Sequence, residues 1–205
     1  MASSQLIALE AHVAALKKYF IIERGDYSDY IPEDHTKALA YMILASAAIE
    51  DYVEDRCIAI AKIGNDRLAK SKPTSAGRSL IVWYTTKNSI RATTLREPDP
   101  LLSLDLSNDA LLAYTHVAKS THGMGSKDLR KLVFPVGLRD AQLPDVLLAS
   151  LDALSAKRNP AAHTYINRGK SMAEPIEESK LIEQILHPLR ILDDDLQVVA
   201  ENFPL

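Results

Sequence analysis

The sequence predicts an all-α fold, an up-and-down helical bundle, on three observations. Apolar residues recur at three-and-four spacing over long stretches, as in Leu6, Leu9, Val13, Leu16 and Phe20, which is the stripe one helix face buries. Only 7 of the 205 residues are glycine, fewer than a sheet protein with many tight turns carries. Prolines stand where helical stretches open, at Pro32, Pro144 and Pro175, as suits a residue with a preset φ and no N–H.

The elements follow in order. The first helix is expected from about Ser4 to Glu23, with Gly25 as its stop. The second opens near Pro32, with Glu33 and Asp34 complementing the positive helix end. It runs through ALAYMILASAAIEDYVEDRCIAIAKI and ends before Gly64. Its first half is apolar or small nearly all round, which fits a central position in a bundle. KSKPTSAGR reads as a loop. A helix from about Ser75 to Leu95 is favoured over a strand, because one lone strand has no partner. REPDPLL ends it, since residues before proline avoid helix. Ser107 or Asn108 then caps a helix ending at Thr121, and Ser126 caps a short one closed by Pro135 and Gly137. Two more run from about Pro144 to Asn159 and from Pro175 to about Ala200, making six or seven in one domain over 1–205.

Length and an ordinary balance of 47 % apolar and 25 % charged residues suit one globular domain. The single cysteine, Cys57, excludes an intrachain disulfide and a cysteine-based zinc site, and its apolar setting reads as core. The N-terminus lacks the pattern of a signal peptide, and no apolar run is long enough for a membrane span, so a cytoplasmic protein without membrane partners is expected. Glycine-rich phosphate loops, nucleophile elbows and zinc signatures are absent, and no metal or cofactor is expected. Glu50, Asp51, Glu54, Asp55 and His35 lack the spacing of a metal site. The net charge is −3, yet Lys62–Arg96 carries +7 and the remainder −10. Such asymmetry reads either as a solvated face or as a local field that attracts anions.

The chemistry-bearing stretch is LLASLDALSAKRNPAAHTYINRGK. Leu147, Leu148, Leu151 and Leu154 anchor one helix face, and Lys157, Arg158, Asn159 and His163 follow within two turns. On an ideal helix Asn159 and His163 share a face, whereas Arg158 and His163 point roughly 140° apart. Pro160 is expected to kink the chain and bring guanidinium and imidazole to one cleft. Histidine suits acid–base work near neutral pH, and arginine grips phosphate oxygens in bidentate fashion. RNA supplies its own nucleophile, the 2′-hydroxyl. A protein acting on it must move that proton and stabilise charge growing on the phosphorus oxygens. On this reading His163 is the acid–base group, Arg158 the phosphate clamp, and Asn159 orients His163 or the substrate. Lys157, Arg168 and Lys170 extend the backbone-binding surface, and Tyr165 stacks a base or simply packs. The plain alternative is a helix end with a dipole-compatible arginine and a histidine that caps carbonyls.

Arg158-Asn159-Pro160-Ala161-Ala162-His163 resembles the arginine–four-to-six-residues–histidine motif of HEPN domains in the form RNxxAH, most closely the RiboL-PSP-HEPN group. The resemblance spans about Lys37 to Tyr165, including the acidic end of the second helix at Glu50, Asp51, Glu54 and Asp55, one of which is expected to hydrogen-bond the motif. It implies a HEPN-like core of four or five helices plus additional short helices, usually a homodimer in which two motifs face one another across a composite cleft. It further implies a metal-independent endoribonuclease leaving 2′,3′-cyclic phosphate ends, in a toxin–antitoxin, phage-defence or RNA-processing system with RNA and an antitoxin or other protein as partners. Other members of the family are non-catalytic RNA- or protein-binding and dimerisation modules.

Overall fold

α1 (Ser4–Phe20) begins where the Ser3 hydroxyl accepts the Leu6 N–H at 3.1 Å, and it buries Leu6, Leu9 and Val13. It stops three residues short of the expected end because Ile21 turns to extended backbone. A 3-10 turn (Tyr27–Asp29) leads into α2 (Pro32–Ala69). Ahead of Pro32, the Ile31 N–H donates to Asp34 Oδ2 at 3.1 Å, and the Arg24 guanidinium holds the same oxygen at 2.8 Å. Burial alone raises the Asp34 carboxyl, but these two donors outweigh it and hold it below its ordinary value.

This computed structural model describes residues 2–87, 100–163 and 175–202, the side chains of 100–104 and 159–163 excepted. The remaining α-helices are α3 (Ser75–Lys87), α4 (Pro100–Lys119), α5 (Ser126–Val133), α6 (Asp145–His163) and α7 (Pro175–Glu201). The fold is all-α, with seven α-helices and no strand among the described residues. None of these helices is long and apolar enough to cross a membrane.

The chain divides into two compact units: Met1–Tyr52 with Gly123–Ser126 and Pro144–Ile191, and Val53–His122 with Lys127–Leu143 and Leu192–Leu205. The first is built on α1, the first half of α2, α6 and most of α7. Leu6, Tyr41, Ile49, Leu147, Leu151, Leu154, Ile182 and Ile185 are its sealed interior. Each such aliphatic side chain stabilises the fold by about 1.5–3 kcal/mol relative to exposure. Lys17–Glu183 and Arg190–Glu10, both at 2.6 Å, tie α1 to α7 at the surface.

The second unit holds the end of α2, α3, α4, most of α5 and the end of α7. Cys57, Ile60, Leu80, Tyr114, Leu129 and Leu132 are buried there. The Tyr114 hydroxyl donates to the Leu132 carbonyl at 2.6 Å, which satisfies a polar group inside the core. Arg56 and Asp193, 7 % and 1 % exposed, form a buried pair at 2.7 Å, and Gln197 accepts from Arg56 at 2.8 Å.

Two sequence expectations are corrected in this unit. Gly64 does not end α2; the helix runs one and a half turns further. A Cβ at Gly64 would stand 2.6 Å from the Gly77 backbone nitrogen, and one at Gly77 would stand 2.7 Å from the Gly64 carbonyl oxygen. The glycine therefore lets α2 and α3 touch backbone to backbone. Ser107 and Asn108 do not cap α4, which already begins at Pro100. They lie inside it, where the Ser107 hydroxyl donates to Asn65 Oδ1 and the Asn65 amide donates to Asn108 Oδ1 at 3.0 Å. The expected continuation of α3 to Leu95 lies outside the described residues.

Candidate functional site

α6 carries the stretch singled out in the sequence. Asp145 opens it, and its Leu147, Leu151 and Leu154 are 0–1 % exposed, so one face is locked into the first unit. The helix does not stop at Asn159 but continues through Pro160 to His163. Proline removes one backbone hydrogen bond there, and Ala161 and Ala162, strong helix formers, carry the turn onward.

Lys157 and Arg158 are successive residues and lean to different neighbours, as the 100° step between successive residues of a helix requires. Lys157 Nζ donates to Glu178 Oε1 on α7 at 3.0 Å. Arg158 Nη1 donates to Glu50 Oε2 on α2 at 2.6 Å. The other Glu50 oxygen accepts the Gly123 N–H at 2.7 Å. Gly123 has φ +99°, a left-handed conformation that a side chain would strain, so the turn after α4 needs glycine to aim that N–H. Three residues on, the Ser126 N–H donates to Asp152 Oδ1 of α6 at 2.7 Å. One carboxylate thus joins α2, the Gly123–Ser126 turn and α6, and Arg158 is the α6 end of that junction.

The Glu50 side chain is 14 % exposed and that of Arg158 27 %. Of five guanidinium N–H groups, the bond to Glu50 uses one, so this pairing does not exhaust the donors of Arg158. Glu178 is the counterpart beneath Lys157: its side chain is 12 % exposed, and its Oε2 is buried with no hydrogen-bond partner among the described residues.

Of the residues proposed from sequence, Arg158 and Lys157 are placed with their partners. The side chains of Asn159 and His163, and all of Tyr165, Arg168 and Lys170, lie outside the described residues. Among the four acids Glu50, Asp51, Glu54 and Asp55 on α2, Glu50 is the one bonded to Arg158, while Asp51 and Asp55 face solvent. Gly123, Asp152 and Glu178 were missed. They lie 73, 26 and 21 residues from Glu50, Ser126 and Lys157 respectively, in no regular pattern, and only packing brings each to its partner. Compared with protein-family models, curated proteins and solved structures, the chain finds no significant match in any of the three.

Proposed function

We propose that this chain is a metal-independent endoribonuclease of HEPN type, acting on RNA in the cytoplasm as a homodimer with a composite cleft. The observation that carries the reading is an arginine held by a carboxylate near the end of a leucine-anchored helix, five positions before a histidine. In the reaction, His163 takes the proton of a ribose 2′-hydroxyl, whose oxygen attacks the adjacent phosphorus. The bond from phosphorus to the 5′-oxygen breaks, and that oxygen leaves with a proton returned by an imidazole. The products are a 2′,3′-cyclic phosphate and a 5′-hydroxyl. Arg158 stabilises the charge that builds on the non-bridging oxygens. Glu50 positions Arg158, and Asn159 orients His163 or the substrate. Lys157, Tyr165, Arg168 and Lys170 extend the contact to the strand. An antitoxin or other protein partner fits the setting in which such enzymes work.

The test is cleavage of RNA in EDTA by wild type, His163→Ala and Arg158→Ala. Cleavage by wild type with cyclic phosphate ends, lost in both variants, is the expected result; equal cleavage by all three, or none by wild type, rejects it. A second reading is favoured by one specific observation, the Glu50–Arg158 pair on a chain of net charge −3: a non-catalytic RNA- or protein-binding and dimerisation module, with Arg158 structural. Binding that survives His163→Ala without any product supports that reading instead.

A further inference from the structure

Basic residues of the second unit are concentrated along the end of α2, the turn after it and α3. From Lys62 to Lys87 the chain has six basic residues and one acid, Asp66. Lys62, Lys70, Lys72 and Arg78 are exposed. Lys17, Lys37, Lys131, Lys157 and Lys180 each meet a carboxylate within 3.0 Å. Lys62, Lys70 and Lys72 form no ion pair among the described residues.

The corner that carries them is well built. Lys70 and Lys72 both donate their N–H to the Arg67 carbonyl, at 3.1 and 2.8 Å, and Ser71 between them takes φ +56°. Thr74 caps α3 through the Gly77 N–H at 3.3 Å, and the Ser75 N–H donates to the Asn202 carbonyl at 3.0 Å. The Arg67 guanidinium donates to the Glu201 carbonyl at 2.9 Å. The Gly64–Gly77 contact sets the two helices against each other at their backbones. The turn is therefore ordered before any ligand arrives, and little backbone entropy is lost on binding. Further along α3, Trp83 is held edge-on by Tyr114 at 5.8 Å, with Lys87 Nζ 5.0 Å from its ring centre. Cations on a fixed turn, with half-buried aromatic rings on the adjoining helix, are the components with which proteins hold single-stranded nucleic acid.

We propose that the α2–α3 corner is an RNA-backbone surface, in the unit that does not carry Arg158, and that Lys70, Lys72 and Arg78 hold phosphates of a single-stranded segment. The choice of RNA over another polyanion rests on the ribonuclease reading. On an acidic protein, these cations give a strand a place to dock that does not depend on the motif helix.

Binding of a short single-stranded uridine oligonucleotide is followed by fluorescence anisotropy on the full chain carrying His163→Ala, so that no turnover intervenes. Each phosphate contact on a single strand contributes about 0.7 to the slope of log affinity against log salt, so removing three lowers the slope by about 2. Between about 50 and 200 mM salt the parent then loses roughly 15-fold more affinity than the Lys70→Ala, Lys72→Ala, Arg78→Ala triple variant. The charge-keeping triple Lys70→Arg, Lys72→Arg, Arg78→Lys retains the parent slope, and circular dichroism of both triples matches the parent. An unchanged slope in the alanine triple overturns the inference, as does absence of RNA binding by the parent. So does a loss confined to phosphatidylserine–phosphatidylcholine vesicles, which reassigns the corner to an anionic membrane. Cleavage by wild type is scored separately: a slope that falls without any cleavage removes the ribonuclease and leaves the surface, and cleavage with an unchanged slope does the reverse.

Discussion

Replacing Glu50 with alanine takes away one carboxylate and two hydrogen bonds, to Arg158 Nη1 at 2.6 Å and to the Gly123 N–H at 2.7 Å. A hydrogen bond to a charged group contributes about 1.5–3 kcal/mol, but an ion pair with this much solvent access recovers only a part of that, so the Glu50–Arg158 coupling is about 1 kcal/mol. Leaving the partly buried Gly123 N–H without its acceptor adds about 1 kcal/mol, which puts Glu50→Ala at about 2 kcal/mol. Arg158→Ala loses the pair but leaves Glu50 bonded to Gly123, for about 1 kcal/mol. A double-mutant cycle by urea unfolding separates these terms, and the double variant is expected to fall short of the summed single effects by about 1 kcal/mol. Effects that add within about 0.3 kcal/mol refute the junction, because independent residues behave that way. In RNA cleavage, Glu50→Gln is expected to keep more activity than Glu50→Ala, since an amide oxygen still accepts from the guanidinium.

Three further expectations concern the scaffold. Gly64→Ala gains about 1 kcal/mol of helix propensity but drives a methyl into the Gly77 backbone, so Tm falls rather than rises, by about 3–6 °C for a chain of this size; a raised Tm contradicts the contact. Asp34 is held below its ordinary value of 3.8, so its stabilisation is complete above that value and is lost as pH falls through the lower folded-state value. Wild type should therefore exceed Asp34→Asn in stability at neutral pH and converge on it in strong acid, and a constant difference across the acid range would be the contrary result. Burial pushes the Cys57 thiol up to about 12 against the opposing pull of Tyr114 and Arg56, so the native protein should not react with a thiol reagent in mildly alkaline buffer, whereas the urea-unfolded chain should release one equivalent.

The helices were readable because helix formation is local. The apolar stripe of α1 and the prolines that open α2 and α7 are written within a few residues of where they act. The Arg158–His163 string was readable for the same reason. What a residue does once helices pack is not local. A glycine alone reads as a stop; Gly64 became a crossing point because Gly77 lies against it. Ser107 and Asn108 read as caps and became a polar cluster, buried at Ser107 and exposed at Asn108, because Asn65 is their neighbour. The acids Glu50, Asp51, Glu54 and Asp55 on α2 are alike as side chains, and Glu50 is the junction because a glycine turn and α6 meet it there. Apolar periodicity and the placement of prolines determined that this chain is helical and where its cationic motif sits. Which carboxylate holds that motif was decided by tertiary packing, because a hydrogen bond between residues 108 apart depends on where two helices come to rest and on nothing either segment encodes alone.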